Sequence, residues 1–222
     1  MSFFLRKKSP SYVSHQIESY SQEGEDIILN RIFVNQNTGF YVDIGAHDPV
    51  RFSNTWLLYK KGWRGINIDA NPNSITKFKK DRIEDINLTV GISSKNESLL
   101  YYEFNETALN TFDSARAETL VSTGVYKLIK SSSIDLRPLR DVLEEHIKPG
   151  QIIDLFNIDI EGLDLAALES NNWSLYSPRV IVVEDKGFDI QSPLRSEVYK
   201  FLTLRSYKIF SKLHNSLIFI RS

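Results

Sequence analysis

Carboxylates recur in this sequence wherever a short apolar run ends. Asp43 falls near the end of "FYVDI" and is followed by Gly45; Asp69 closes "RGINID"; Asp159 falls near the end of "IIDLFNIDI" with Glu161 just beyond it; Glu184 and Asp185 close "RVIVVED". Each run reads as a buried strand, and in open α/β sheets ligands bind beyond the carboxyl ends of the strands. The acids are therefore expected along one rim. The first turn, "DIGAHDP", has a single glycine. A dinucleotide turn needs G-x-G-x-x-G, so that backbone amides and a helix N-terminus can approach a pyrophosphate. An acid at the strand end, with the second and third glycines missing, suits a nucleoside ligand that has a cationic part and no phosphate. Asp69 would accept both hydroxyls of a ribose, and Asp43 would face the amino-acid end. S-adenosylmethionine meets this description, and an NAD-dependent oxidoreductase is disfavoured.

The chemistry expected at the other tips is proton transfer. Were the acceptor a hydroxyl, a weak acid, it would need a general base, or a metal that lowers its pKa. Asp159 and Glu184 are candidate bases at adjacent strand ends. With Asp185 they also form a candidate oxygen-rich Mg²⁺ site, although direct base catalysis is favoured. His47 is a further candidate base because its range suits proton transfer near neutrality. As a turn residue beside Pro49 it equally suits orienting the loop.

These residues need a scaffold, and the periodicities supply one. Strands are expected over 40–44, 64–69, 85–90, 152–160 and 179–185, with helices over 53–62, 73–82, 136–150 and from Leu163. Ser21 is expected to cap a helix with Ile27, Ile28, Ile32 and Phe33 on its apolar stripe. A helix near 193–204 leads to an alternating segment that turns at His214–Asn215, as a terminal hairpin would. Strand–helix alternation predicts a doubly wound, mostly parallel α/β sheet of about seven strands. The stretch 91–134 is irregular, with short strands around "NETALNTFDSARAE", and is expected to face the substrate.

Composition narrows the function classes. At 222 residues, 41% of them hydrophobic, the chain suits one α/β domain. The expected division is an N-terminal extension over 1–20 and a domain over 21–222. With 27 basic against 28 acidic residues, net −1, nothing points to nucleic acid. The absence of cysteine excludes disulfides, cysteine-bound zinc and thiol catalysis. "MSFFLRKKSPSY" places its apolar residues before its basic ones, unlike a signal peptide, and no run is long enough to span a membrane. A cytoplasmic location is the default expectation.

Five blocks in order, "SYSQEGEDIIL", "GFYVDIGAHDPVRFSNT", "GWRGINIDANP", "FNIDIEGLDLAAL" and "NSLIFI", resemble the FkbM-type family of S-adenosylmethionine-dependent methyltransferases, from about residue 18 to the end. The resemblance implies the class I methyltransferase fold, with a seven-stranded sheet in the order 3-2-1-4-5-7-6. It also implies methyl transfer to a hydroxyl of a sugar, glycan precursor or other small natural product; whether the protein works as a monomer or a homodimer is left open. A protein or lipid acceptor, or a non-catalytic relative that only binds the cofactor, is the alternative. By resemblance Ser21, Gln22 and Glu25 would lie near the cofactor, with Asp43, Gly45, Ala46 and Asn54. Asp69 would hold the ribose, and Ala70 or Ile92 would pack on the adenine. The family commonly has glutamate where Asp69 stands, which implies a longer or water-bridged ribose contact. Segment 91–134 matches poorly.

Overall fold

A computed structural model describes residues 16–222; most of the expected N-terminal extension, residues 1–15, lies outside them. The elements run, in chain order, α1 (Glu25–Ile32), β1 (Phe40–Ile44), α2 (Trp56–Lys60), β2 (Arg64–Asp69), α3 (Pro72–Asp81), β3 (Ile86–Thr89), β4 (Gly91–Ser93), β5 (Glu97–Phe104), α4 (Ser114–Ser122), β6 (Leu128–Pro138), α5 (Leu139–His146), β7 (Leu155–Ile158), α6 (Asp164–Ser170), β8 (Val180–Glu184), α7 (Glu197–Thr203), β9 (Tyr207–Lys212) and β10 (Ser216–Arg221). Seven strands form one sheet in the order β3-β2-β1-β7-β8-β10-β9. Numbered within that sheet alone, they run 3-2-1-4-5-7-6. Strands β1, β2, β3, β7 and β8 pair in parallel, and β10 pairs antiparallel with both β8 and β9.

The strands alternate between two apolar layers, as period-two side chains must. Val42, Ile44, Ile66, Ile68, Phe156 and Ile158 face one layer, with Leu143 of α5, Leu168 of α6 and Leu202 of α7. Tyr41, Leu155, Val180 and Val182 face the other, with Leu29 of α1, Leu58 of α2 and Trp63. Truncating a side chain such as Phe156, which is fully buried, costs about 3–5 kcal/mol. That core is what holds the strand tips in a fixed row.

Several expected boundaries shift for local reasons. Helix α1 begins after Gly24, which stands at φ 93°, and Ser21 is not its N-cap. Instead the Ser21 hydroxyl accepts from the amides of Gly24 and Asp26 and donates to Asp26, closing a turn ahead of the helix. Strand β7 stops at Ile158, so Asp159 and Glu161 belong to the turn beyond it. The helix expected from Leu136 starts at Leu139, because Pro138 is extended (ψ 139°) and keeps β6 running to that point. The irregular stretch is more ordered than its sequence reads: β4, β5 and β6 form a separate three-stranded sheet in the order β4-β6-β5. No helix among the described residues is long and apolar enough to cross a membrane.

Candidate active site

The carboxyl ends of β1, β2, β7 and β8 open into a cleft of about 460 Å³, roofed by the segment between β5 and β6. Gln22, Glu25, Asp43, Gly45, Ala46, His47, Asn54, Asp69, Ala70, Asp159 and Glu184 all line it. Three expected residues do not. Ile92, on β4, is buried in the core, Ser21 serves the turn before α1, and Asp185 accepts from Ser196 Oγ at 2.6 Å. Each spends its polar or apolar surface on a structural partner.

The first turn closes on itself. Gly45 and Ala46 donate their amides to the Ile68 carbonyl at 2.9 and 3.0 Å, His47 donates to Asp69 Oδ2 at 2.8 Å, and Asp48 donates to Ala46 at 2.7 Å. No amide from 45 to 48 is left over for a phosphate. The single glycine has a different reason: at φ +82°, its missing Cβ would lie 1.8 Å from the Asp159 carbonyl oxygen. It lets the turn after β7 pack against the turn after β1. Gly45→Ala is therefore expected to destabilise the protein by about 2–4 kcal/mol, from left-handed strain plus overpacking, as urea unfolding would measure. A loss under 1 kcal/mol would mean that the two turns separate easily.

Asp43 is almost fully buried and sits in register between Asn67 on β2 and Asn157 on β7. Its oxygens accept from Thr55 Oγ at 2.6 Å and Asn157 Nδ2 at 2.8 Å, and Asn157 in turn accepts from Asn54 Nδ2 at 2.8 Å. Burial raises the Asp43 pKa above its ordinary value, and the Thr55 hydrogen bond opposes that shift. Ser53 Oγ accepts from the amides of Thr55 and Trp56 just ahead of α2, and Asn54 faces the cleft. Asp69 accepts from the Asn71 amide at 2.7 Å and from His47, and burial raises its pKa to about 6. Both anions are thus held from behind.

A charge cluster lies beyond β7 and β8. Carboxylate oxygens of Asp159, Glu161 and Glu184 lie within 4.8 Å of one another. Glu161 therefore takes the place expected for Asp185. Lys186 Nζ stands 2.6 Å from Glu161 and 2.8 Å from Glu184, and Arg116 of α4 makes a two-pronged pair with Glu161. A metal at this point would have to displace a lysine already balancing the charge. Among the described residues no side chain donates a hydrogen bond to the Asp159 carboxylate. Burial and then the charge of Glu184 hold Asp159 well above the carboxylate range; burial and then Glu161 raise Glu184 to about 7. Two crowded, desolvated acids do not both ionise easily.

His47 (φ 56°) joins the turn to the roof through Nε2 and Thr107 Oγ at 2.9 Å, and burial lowers its pKa. Nearby, Arg51 and Glu106 pair at 2.9 Å. Tyr101, Phe112 and Tyr126 supply the aromatic part of the roof. At the opposite end, Glu23 accepts from Asn215 and Glu25 from Ser216 Oγ, tying the segment before α1 to the terminal hairpin.

Arg116, Lys186 and Asn157 were not singled out from the sequence. Asn157 left a signal, a polar residue inside an apolar strand. Arg116 left none, because its partner is 45 positions away.

A family model described as "Methyltransferase FkbM domain" matches residues 43–209 of this chain. Comparison with curated proteins gives no match.

Proposed function

The chain belongs to the FkbM methyltransferase family, and from that premise we propose that it is an S-adenosylmethionine-dependent O-methyltransferase of class I fold, acting on a hydroxyl of a sugar, glycan precursor or other small natural product. The observation behind this reading is the Asp159 carboxylate, open to the cleft, free of hydrogen-bond donors and crowded by Glu184. Such a group is a proton acceptor in waiting.

The residues present fit the cofactor. The amides of the first turn are all spent internally, which argues against a pyrophosphate, while Asp43 and Asp69 offer charge and lone pairs to a cation and a diol. The Asp69 carboxylate accepts from the Asn71 and His47 amides and from the Ser74 hydroxyl, and its remaining lone-pair capacity is offered to a ribose hydroxyl. Asn54 and Asn157, oriented by Asp43, offer amide groups to the amino-acid end, with Gln22 and Glu25 beside it. Ala70 keeps the wall thin enough for a flat base. When bound, the cofactor supplies an electrophilic methyl carbon.

The chain's own work is to align and deprotonate. Tyr101, Phe112 and Tyr126 exclude water over the acceptor. Asp159 takes the hydroxyl proton as the oxygen attacks. Glu184 raises the basicity of Asp159, and Lys186 with Arg116 keeps Glu161 and Glu184 from swinging into the acceptor's place. His47 acts as a positioning residue. The pairing of Lys186 favours metal-free base catalysis.

The test is calorimetric titration with S-adenosylhomocysteine, with and without EDTA, and with NAD as control. Expected is binding on the order of micromolar for the homocysteine compound, no change with EDTA, and no heat with NAD. Loss of binding in EDTA would revive the metal, and binding of NAD alone would overturn the assignment.

A further inference from the structure

Among the described residues the lysine and arginine side chains that line the cleft are Arg51, Arg116 and Lys186, and each already has an anionic partner. Arg51 pairs with Glu106 at 2.9 Å, Arg116 makes its two-pronged pair with Glu161, and Lys186 stands 2.6 Å from Glu161 and 2.8 Å from Glu184. Asp159 adds a further carboxylate to the same half of the cleft. That half therefore holds no cation whose charge is left over for a ligand.

Glu161 is the hub of this balance. Two cations meet on its carboxylate, one from α4 in the roof and one from the turn after β8. Its backbone is left-handed, at φ 54°, and Gly162 follows at φ 102°. Such a conformation in a residue other than glycine persists where the surroundings over-determine it, and here the surroundings are the two cations that grip the side chain. A phosphate or carboxylate on the acceptor would need those same cations. To reach them it would have to displace Glu161 and lie against Asp159 and Glu184, a like-charge contact that disfavours binding. The roof offers apolar surface instead, from Tyr101 and Phe112, whose rings stand 4.8 Å apart, and from Tyr126. Aromatic walls of this kind suit the C–H faces of a hydroxylated ring.

We propose that the cleft selects an uncharged, hydroxylated acceptor, with no phosphate or carboxylate near the reacting hydroxyl, and that Glu161 is the residue that sets this specificity. The inference rests on the function proposed above and narrows it. Phosphate-linked glycan precursors are excluded from the cleft, and free or glycosidic sugars and neutral natural products are admitted.

Calorimetric titration of the full chain with inorganic pyrophosphate and with glucose 1-phosphate tests it. The wild type is expected to bind neither more tightly than about 10 mM. Glu161→Gln frees Arg116 and leaves Lys186 to Glu184 alone, so both anions should bind at least about tenfold more tightly than to wild type. Glu161→Asn should behave alike, and asparagine tolerates the left-handed backbone, so a poorly folded glutamine variant has a substitute. Adding Arg116→Ala to Glu161→Gln should abolish the gain. Submillimolar binding of either anion to the wild type would overturn the proposal, and that measurement needs no variant to fold. So would folded Glu161 variants without the gain, or a gain that survives the loss of Arg116. Titration of the same wild-type sample with S-adenosylhomocysteine reads the methyltransferase assignment separately: a chain that takes up the homocysteine compound and also binds pyrophosphate overturns the charge selection alone.

Discussion

Replacing Asp159 with asparagine is expected to lower kcat by about 10²- to 10⁴-fold, the span of a lost general base, while S-adenosylhomocysteine affinity changes by less than about threefold, a shift under 1 kcal/mol. The same variant should be more stable. Among the described residues no side chain donates to Asp159, and Glu184, Asp164 and Glu161 crowd it. A neutral amide of the same shape removes the repulsion and can donate to Glu184. A gain in melting temperature of about 2–4 °C corresponds to 1 kcal/mol in a chain of this length. The pH dependence has a definite sign. The base acts only when unprotonated, and burial and the charge of Glu184 hold Asp159 well above the carboxylate range, so kcat should rise with pH well above the ordinary carboxylate pKa. In Glu184→Gln one negative neighbour is gone, the Asp159 pKa falls, and the rising limb should move to lower pH. A limb that stays in place would mean that a different group titrates. Full activity in Asp159→Asn would remove the base assignment and leave His47 as the candidate.

The largest effect on stability is expected at Arg82. This side chain is fully buried, and its five N–H donors are all used. They go to the Pro49 carbonyl at 3.0 and 2.5 Å, Ser53 Oγ at 2.6 Å, Thr55 Oγ at 2.7 Å and Tyr41 OH at 3.3 Å. Among the described residues no carboxylate pairs with it directly. Its charge is balanced at second hand, through Thr55 to Asp43 and through Tyr41 to Asp85 at 2.6 Å. The guanidinium also lies near the faces of Trp56, Tyr59 and Phe78. Removing it strands two buried carboxylates and the loop from Pro49 to Thr55. Arg82→Leu should cost about 3–5 kcal/mol, and Tm should fall by about 8–15 °C. Arg82→Lys should recover only part of this, since an ammonium group offers three donors and cannot reproduce the planar fork. Cofactor affinity should fall in both variants, because Asn54 sits in the loop that Arg82 holds. Calorimetric melting with S-adenosylhomocysteine titration checks both effects. An Arg82→Lys protein as stable as wild type would mean that charge alone is needed.

Much of the fold was legible because its signals are local. "FYVDI", "RGINID" and "RVIVVED" have the β-rich composition of buried parallel strands, and each ends at a turn, so the acids at their tips could be expected on one rim. The lone glycine of "DIGAHDP" argues against a phosphate cradle, and the amides of that turn are all spent within the fold. Its structural reason, the Asp159 carbonyl oxygen in the space a Cβ would fill, involves a chain segment more than a hundred residues away. The strands "ESLLYYEF" and "VYKLIKSSSI" were legible, but not their union with β4 in a separate sheet, because that pairing joins segments up to about 45 residues apart that no local pattern marks.

What the sequence determined by itself, then, is the strand–helix rhythm, the row of tip carboxylates, and the chemistry those acids exclude. These follow from side-chain type and short-range periodicity. Tertiary structure alone decided which acids are partnered and which are free. Asp43 is clasped by Asn157 across 114 residues, Glu161 is held by Arg116 and Lys186, Asp185 is drawn off to Ser196, and Asp159 is left open. Pairing depends on distances of a few ångströms between segments brought together only by packing, and no local spacing encodes them.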